Sequence, residues 1–313
     1  MTFPVTGLGG IWPATLTPFT PGGAIDDDAL GTHLHEVAST PGVRAVVVNG
    51  HAGETSSLSR QERAHVVRTA VGVAGQVPVV AGVVAEDPRD ACALAVDAAQ
   101  AGASALLLFP PMLFGGGAAL RPEMALRYVK DVARATQLPI VLFQLSRAAN
   151  QAFSTDLLVR LCTEVPEIAA IKEGSDVPEL YEDNLRALRK LDRPVTMLSS
   201  NNGWLFASLA YGADGILSGI GSVVAPLLVE LHEAVAAGKL DAARAVNDRL
   251  VPLCRAFYRA PYLDIHNRMK TALHMLGRLP HPDPRLPLLP LDDSERTRIR
   301  AALAAAGLLD DDR

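Results

Sequence analysis

Short apolar runs recur along the chain, and each is followed by a longer stretch in which apolar and polar residues alternate with helical period. The runs are GGIWPATL (9–16), RAVVVNG (44–50), VPVVAGVV (77–84), SALLLFP (104–110), LPIVLFQ (138–144), IAAIKE (168–173), VTMLSS (195–200) and DGILSG (214–219). They are brief, rich in β-branched residues and bounded by Gly or Pro, the pattern of strands buried on both faces of a parallel sheet. Between them lie amphipathic segments such as 59–74, 87–101, 121–136 and 176–191, several opened by a Ser or Asp suited to cap a helix. Eight such units in about 240 residues predict an α/β fold, a TIM (β/α)8 barrel. No run is followed by the G-x-G-x-x-G fingerprint of a doubly wound dinucleotide fold.

Beyond the eighth run the pattern changes to helices alone, over 226–237, 240–258, 263–277 and 293–307. The segment LPHPDPRLPLLP separates the last two and must be extended, because Pro has no helical N–H to give. The expected organisation is a barrel over 1–224 and a C-terminal helical extension over 225–313. The chain has 313 residues, 49% hydrophobic and 20% charged, which is enough for one large core. A formal net charge of −5 offers no footprint for nucleic acid or an anionic membrane. No stretch reaches the roughly 18–20 apolar residues of a membrane span, and the start lacks a signal-peptide pattern. Cys92, Cys162 and Cys254 are scattered and form no C-x-x-C pair, so they read as reduced thiols of a cytoplasmic protein.

Active sites of TIM barrels gather at the C-terminal ends of the strands, and that is where chemistry is sought. The sixth run ends in IKE and places Lys172 there. A free lysine, with a pKa of about 10.4, is neutral in only about one part in a thousand at pH 7.4. Burial lowers that pKa by up to roughly 3 units, giving an amine able to attack a ketone. The competing reading is a lysine ion-paired to Glu173 or Glu54. GHAGE (50–54) follows the second run; Gly50 and Gly53 around two residues let backbone N–H groups converge on a small anion, or form a tight turn with no ligand. Gln144 could hydrogen-bond a polar substrate or serve structure alone. SGIGS (218–222) follows the eighth run, where TIM barrels often hold phosphate, so a phosphosugar enzyme is a rival reading. No His, Asp or Glu cluster has metal-ligand spacing, and no cofactor is implied.

Taken together, ATLTPF (14–19), GHAGE, LPIVLFQ, IKE, LAYGADGILSG (209–219) and PRLPL (284–288) resemble the dihydrodipicolinate synthase / N-acetylneuraminate lyase family over most of the chain. The resemblance implies a TIM barrel with helical appendage, commonly a homotetramer and otherwise a dimer, whose lysine forms an imine with pyruvate or a related 2-oxo acid. By position, Lys172 is the Schiff-base former, His51 and Ala52 offer backbone donors to the acid's carboxylate, and Ser200 and Leu217 line the imine.

The departures matter as much. The family tyrosine that relays protons at the end of strand five is Phe143, which has no hydroxyl. The first threonine of the family's G-T-T-G-E is His51, whose imidazole is the one obvious replacement for the relay. The aromatic pair after strand four is replaced by Met112 and Leu113, suggesting an apolar pocket or a subunit interface. Ala148 stands where the synthase branch carries an arginine, with Arg147 one residue away. These differences argue against the lysine-biosynthesis synthase and leave a 2-oxo-acid lyase or aldolase of unassigned substrate. The alternatives are a 2-keto-3-deoxy sugar acid aldolase or dehydratase, and a catalytically impaired member with a binding or regulatory role.

Overall fold

The computed structural model describes residues 8–117 and 120–309. All eight apolar runs are strands: β1 (Gly10–Pro13), β2 (Val46–Val48), β3 (Val79–Val83), β4 (Ala105–Leu108), β5 (Ile140–Gln144), β6 (Ile168–Glu173), β7 (Thr196–Ser199) and β8 (Gly215–Ser218). Every strand pairs in parallel with its sequence neighbour, and β8 returns to β1. The seam between β1 and β2 is closed by the bridges Ile11–Val43 and Ala14–Val47. Across it the Thr15 amide donates to the Val47 carbonyl at 2.8 Å. This is the TIM barrel that the periodicity predicts.

Strand alternation divides the barrel into two layers. Val46, Val48, Leu106, Leu108, Ile140, Leu142, Ile171 and Met197 pack outward against the helices. Val47, Val80, Leu107, Val141, Phe143, Ala170, Leu198 and Leu217 fill the interior. The phase of β6 therefore aims Lys172 inward, two residues beyond Ala170, and Glu173 outward.

The helices are α1 (Asp27–Ala38), α2 (Arg60–Val73), α3 (Pro88–Gln100), α4 (Pro122–Thr136), α5 (Thr155–Glu164), α6 (Pro178–Leu188), α7 (Leu205–Ala210), α8 (Gly221–Ala236), α9 (Leu240–Phe257), α10 (Ile265–Met275) and α11 (Asp293–Ala305). Their starts follow local chemistry. Ser59 and Glu62 form a reciprocal capping box on α2, and the side chains of Asp26, Asp87, Ser154 and Asp292 accept first-turn amides of α1, α3, α5 and α11. The helix expected over 226–237 begins earlier, at Gly221, and takes Pro226 just past a non-helical Val224. It packs over β1 and β8 as the eighth helix of the barrel, and α9, α10 and α11 follow it. No helix among the described residues is long and apolar enough to cross a membrane.

Candidate active site

Lys172 ends the inward face of β6 and is only 7% exposed. In register beside it stand Phe143 on β5 and Leu198 on β7. The Lys172 Nζ lies 4.0 Å from the centre of the Phe143 ring and 6.0 Å from that of Phe109. Among the described residues no carboxylate pairs with it. Burial without a counter-ion pushes its pKa down to about 7. Roughly half the amine is then neutral near pH 7, against about one part in a thousand for a free lysine.

Both carboxylates that could have neutralised it are engaged elsewhere. Glu173, facing outward, accepts from Asn201 Nδ2 at 2.9 Å and Asn184 Nδ2 at 3.4 Å, and burial raises its pKa. Glu54 is ion-paired with the fully buried Lys270 of α10 and accepts the Arg285 amide at 3.2 Å. Glu54 thus ties the loop after β2 to the C-terminal segment. Arg285, within PRLPL, completes the tie through the Gly23 and Ser57 carbonyls and both oxygens of Glu62.

The GHAGE loop arches over the mouth between two left-handed residues, Asn49 (φ 56°) and Glu54 (φ 50°). Asn49 is held there by its Nδ2, which donates to the Arg63 carbonyl at 2.8 Å. Gly82 makes the arch possible, because a Cβ there would lie 2.1 Å from the Asn49 carbonyl oxygen. A Cβ on Gly50 would reach the Phe109 ring at 4.0 Å. Among the described residues the backbone amides of His51 and Ala52 donate to no acceptor in the chain. Two adjacent unspent donors beside a partly cationic amine suit a small carboxylate.

The His51 ring is exposed at the mouth and packs with Phe109 (centroids 4.7 Å) and Phe143 (6.1 Å). Its pKa falls below the ordinary 6.5, through crowding by the surrounding protein first and the Lys172 charge second. At neutral pH the imidazole is a base. Ser200 follows β7 and meets Phe143 around Gly174, where a Cβ would stand 3.1 Å from Phe143 Cε2 and 3.6 Å from Ser200 Cβ. Leu217 is fully buried in the interior wall of β8.

Gln144 is not brought to the mouth. It points outward, donates to the Phe153 carbonyl at 2.8 Å and accepts the Phe153 amide at 2.9 Å, which satisfies its amide by fixing the loop after β5. In SGIGS both hydroxyls and the Ile220 amide are already spent within the chain. The Ser218 hydroxyl donates to Asn202 Oδ1, the Ile220 amide to the Tyr258 hydroxyl and the Ser222 hydroxyl to the Ala14 carbonyl. Phe114 turns inward against Tyr128, while Met112 and Leu113 stand in solvent, 77% and 69% exposed. Residues of the mouth that sequence reasoning passed over are Phe109, Asn202, Tyr258 and His266. Phe109 closes the fourth run and could have been found by the same strand-end rule. Tyr258 and His266 come from helices that no strand-end rule reaches. Among the described residues no group of three or more His, Cys, Asp or Glu is arranged to hold a metal ion.

Comparison with known proteins agrees with this fold. Residues 7–306 match the model of the dihydrodipicolinate synthetase family. The chain is 34% identical over 297 residues to a 4-hydroxy-tetrahydrodipicolinate synthase of Methanothrix thermoacetophila, covering 94% of this chain and 95% of that protein. It is 31% identical over 305 residues to an uncharacterised DapA-like lyase of Halobacterium salinarum, covering 97% and 95%. A solved dihydrodipicolinate synthase from Agrobacterium tumefaciens superposes with a TM-score of 0.85 at 28% identity, covering 96% of this chain and 99% of that one.

Proposed function

The chain belongs to the dihydrodipicolinate synthetase family, and on that footing we propose that it is a Schiff-base lyase or aldolase joining Lys172 to pyruvate or another short 2-oxo acid. The observation that carries this reading is the buried Lys172, unpaired and near pKa 7, beside the free amides of His51 and Ala52. The carboxylate sits on those amides and presents C2 to the amine. Nucleophilic attack gives a carbinolamine, the His51 imidazole carries the protons that let water leave, and an iminium results. Its positive nitrogen is an electron sink for a carbanion at C3, so a carbon–carbon or carbon–oxygen bond one carbon further out can form or break. Ser200 and Leu217 line the imine.

The second substrate differs from that of the lysine-biosynthesis synthase. Phe143 supplies no hydroxyl, and exposed Ala148 supplies no guanidinium for a second carboxylate. The rings of Phe109 and Phe143 make the wall around Lys172 apolar. The exposed Met112 and Leu113 support a homo-oligomer of dimeric or tetrameric size, and the free cysteines fit a cytoplasmic setting. The test is incubation with pyruvate and borohydride followed by intact mass and peptide mapping. One reduced pyruvyl group per chain on Lys172 is expected. Label on another lysine, or none with any short 2-oxo acid, would overturn the mechanism.

A further inference from the structure

An imine chemistry needs a group that takes the C3 proton, and the β5 wall offers only Phe143. In the order of the sheet, β5 lies four strands from β1 in either direction. The arc around β1 is roofed by the C-terminal segment. There α10 crosses the ends of β8 and the loop after β2. The Met269 Sδ lies 3.5 Å from the Cβ position of Gly219, and Lys270 pairs with Glu54 of the GHAGE loop. Side chains three and four apart share one face of a helix. His266 stands three residues before Met269 and four before Lys270, so it shares the face that covers the mouth. Its ring is half-buried and, among the described residues, makes no hydrogen bond.

The neighbouring Tyr258 is occupied in a different way. Its hydroxyl accepts the Ile220 amide at 3.1 Å and lies 3.0 Å from Ser218 Oγ. Ser218 donates to Asn202 Oδ1, while Asn202 Nδ2 donates to the Ser200 carbonyl at 2.9 Å. An amide oxygen only accepts, so the serine proton is committed to Asn202 and the tyrosine proton to Ser218. Burial also raises the Tyr258 pKa above its ordinary value. Tyr258 is therefore a strut between α9 and the barrel rim, and the proton-transfer role falls to the unpartnered imidazole.

We propose that His266, supplied by α10 from the side of the mouth opposite Phe143, is a catalytic residue that removes and returns the C3 proton of the 2-oxo acid bound to Lys172. The proposal rests on the imine reading above. The C3–H bond breaks, its electron pair becomes the C2–C3 double bond, the iminium pair withdraws to nitrogen, and the proton passes to the imidazole. When the enamine then adds to a carbonyl carbon, the imidazolium returns its proton to the new alkoxide. The titratable groups around His266 are His51, Lys172 and the Lys270–Glu54 pair, with Tyr258 on α9. Burial, followed by His51, Lys172 and Lys270, lowers the His266 pKa, leaving a neutral base at pH 7.

The test needs no second substrate. Exchange of pyruvate methyl protons with D2O is followed by proton NMR beside borohydride trapping, in the full-length parent, His266→Gln, His266→Asn and His51→Gln. The His266 variants should still trap pyruvate on Lys172 and keep the acid limb that its amine sets, but exchange should fall roughly 10²–10⁴-fold. His51→Gln should slow trapping itself. Parental exchange in both His266 variants would overturn the proposal while leaving the imine intact. A parent that traps no 2-oxo acid would instead remove the imine reading and this role with it. As an independent readout, NMR titration of His266 should show its pKa rising in His51→Gln, and an unchanged value would mean that the two rings are not neighbours.

Discussion

Lys172→Met would measure what the barrel loses by keeping its lysine neutral. Methionine is close in length and packs against Phe143 and Phe109 without an ionisable nitrogen. The folded chain releases the Lys172 proton near pH 7, whereas the unfolded chain holds it to about 10.5. Between those values only the unfolded chain binds the proton, so parental stability rises with pH by about 1.4 kcal/mol per unit. Below pH 7 the penalty is complete: about 3.5 units, or roughly 5 kcal/mol. Burial alone accounts for that. Lys172→Met should therefore be more stable than the parent by roughly 4–5 kcal/mol at pH 7, the gap closing towards pH 10.5. At about 2.1 cal/mol/K per residue, a 313-residue chain unfolds with about 0.66 kcal/mol/K, so the gain is a Tm shift of about 7 °C. Calorimetry of both proteins at about pH 7 and about pH 10.5 checks this. A variant less stable at pH 7, or a gap that does not change with pH, would refute the idea that burial holds the amine neutral.

Two further changes probe the supports of the site. Glu54→Ala leaves the Lys270 ammonium buried without its carboxylate and should cost about 3–5 kcal/mol in urea unfolding, while Glu54→Met combined with Lys270→Met should recover most of that loss; a single variant within about 0.5 kcal/mol of the parent would mean that the pair is dispensable. Gln144→Leu strands the Phe153 amide and carbonyl, and should destabilise by about 2–4 kcal/mol without slowing adduct formation on Lys172; an altered adduct rate at unchanged stability would instead put Gln144 in the substrate's path.

The chain by itself determined the barrel, because its eight strands are fully buried and such strands read as short apolar runs. Each of the eight runs holds one strand, and the capping residues at Ser59 and Asp87 open the helices expected there. Lys172 was legible for the same reason: an ionisable residue closing an apolar run stands out. What the sequence left open was which charges meet. Glu54 and Glu173 were equal candidates to neutralise Lys172, and only the strand phase and the long-range ties to Lys270, Asn184 and Asn201 remove both. Gln144 and Phe143 are adjacent in sequence, yet the period of two sends one to the Phe153 backbone and the other to the lysine. The sequence pattern could not place Tyr258 or His266 at the mouth, because no periodicity shows where a helix some 90 residues beyond Lys172 crosses the barrel. That position is set by the folding of α10 across the rim, where Met269 fits the space left by Gly219 and Lys270 meets Glu54. Contacts so distant in sequence are determined by tertiary packing alone.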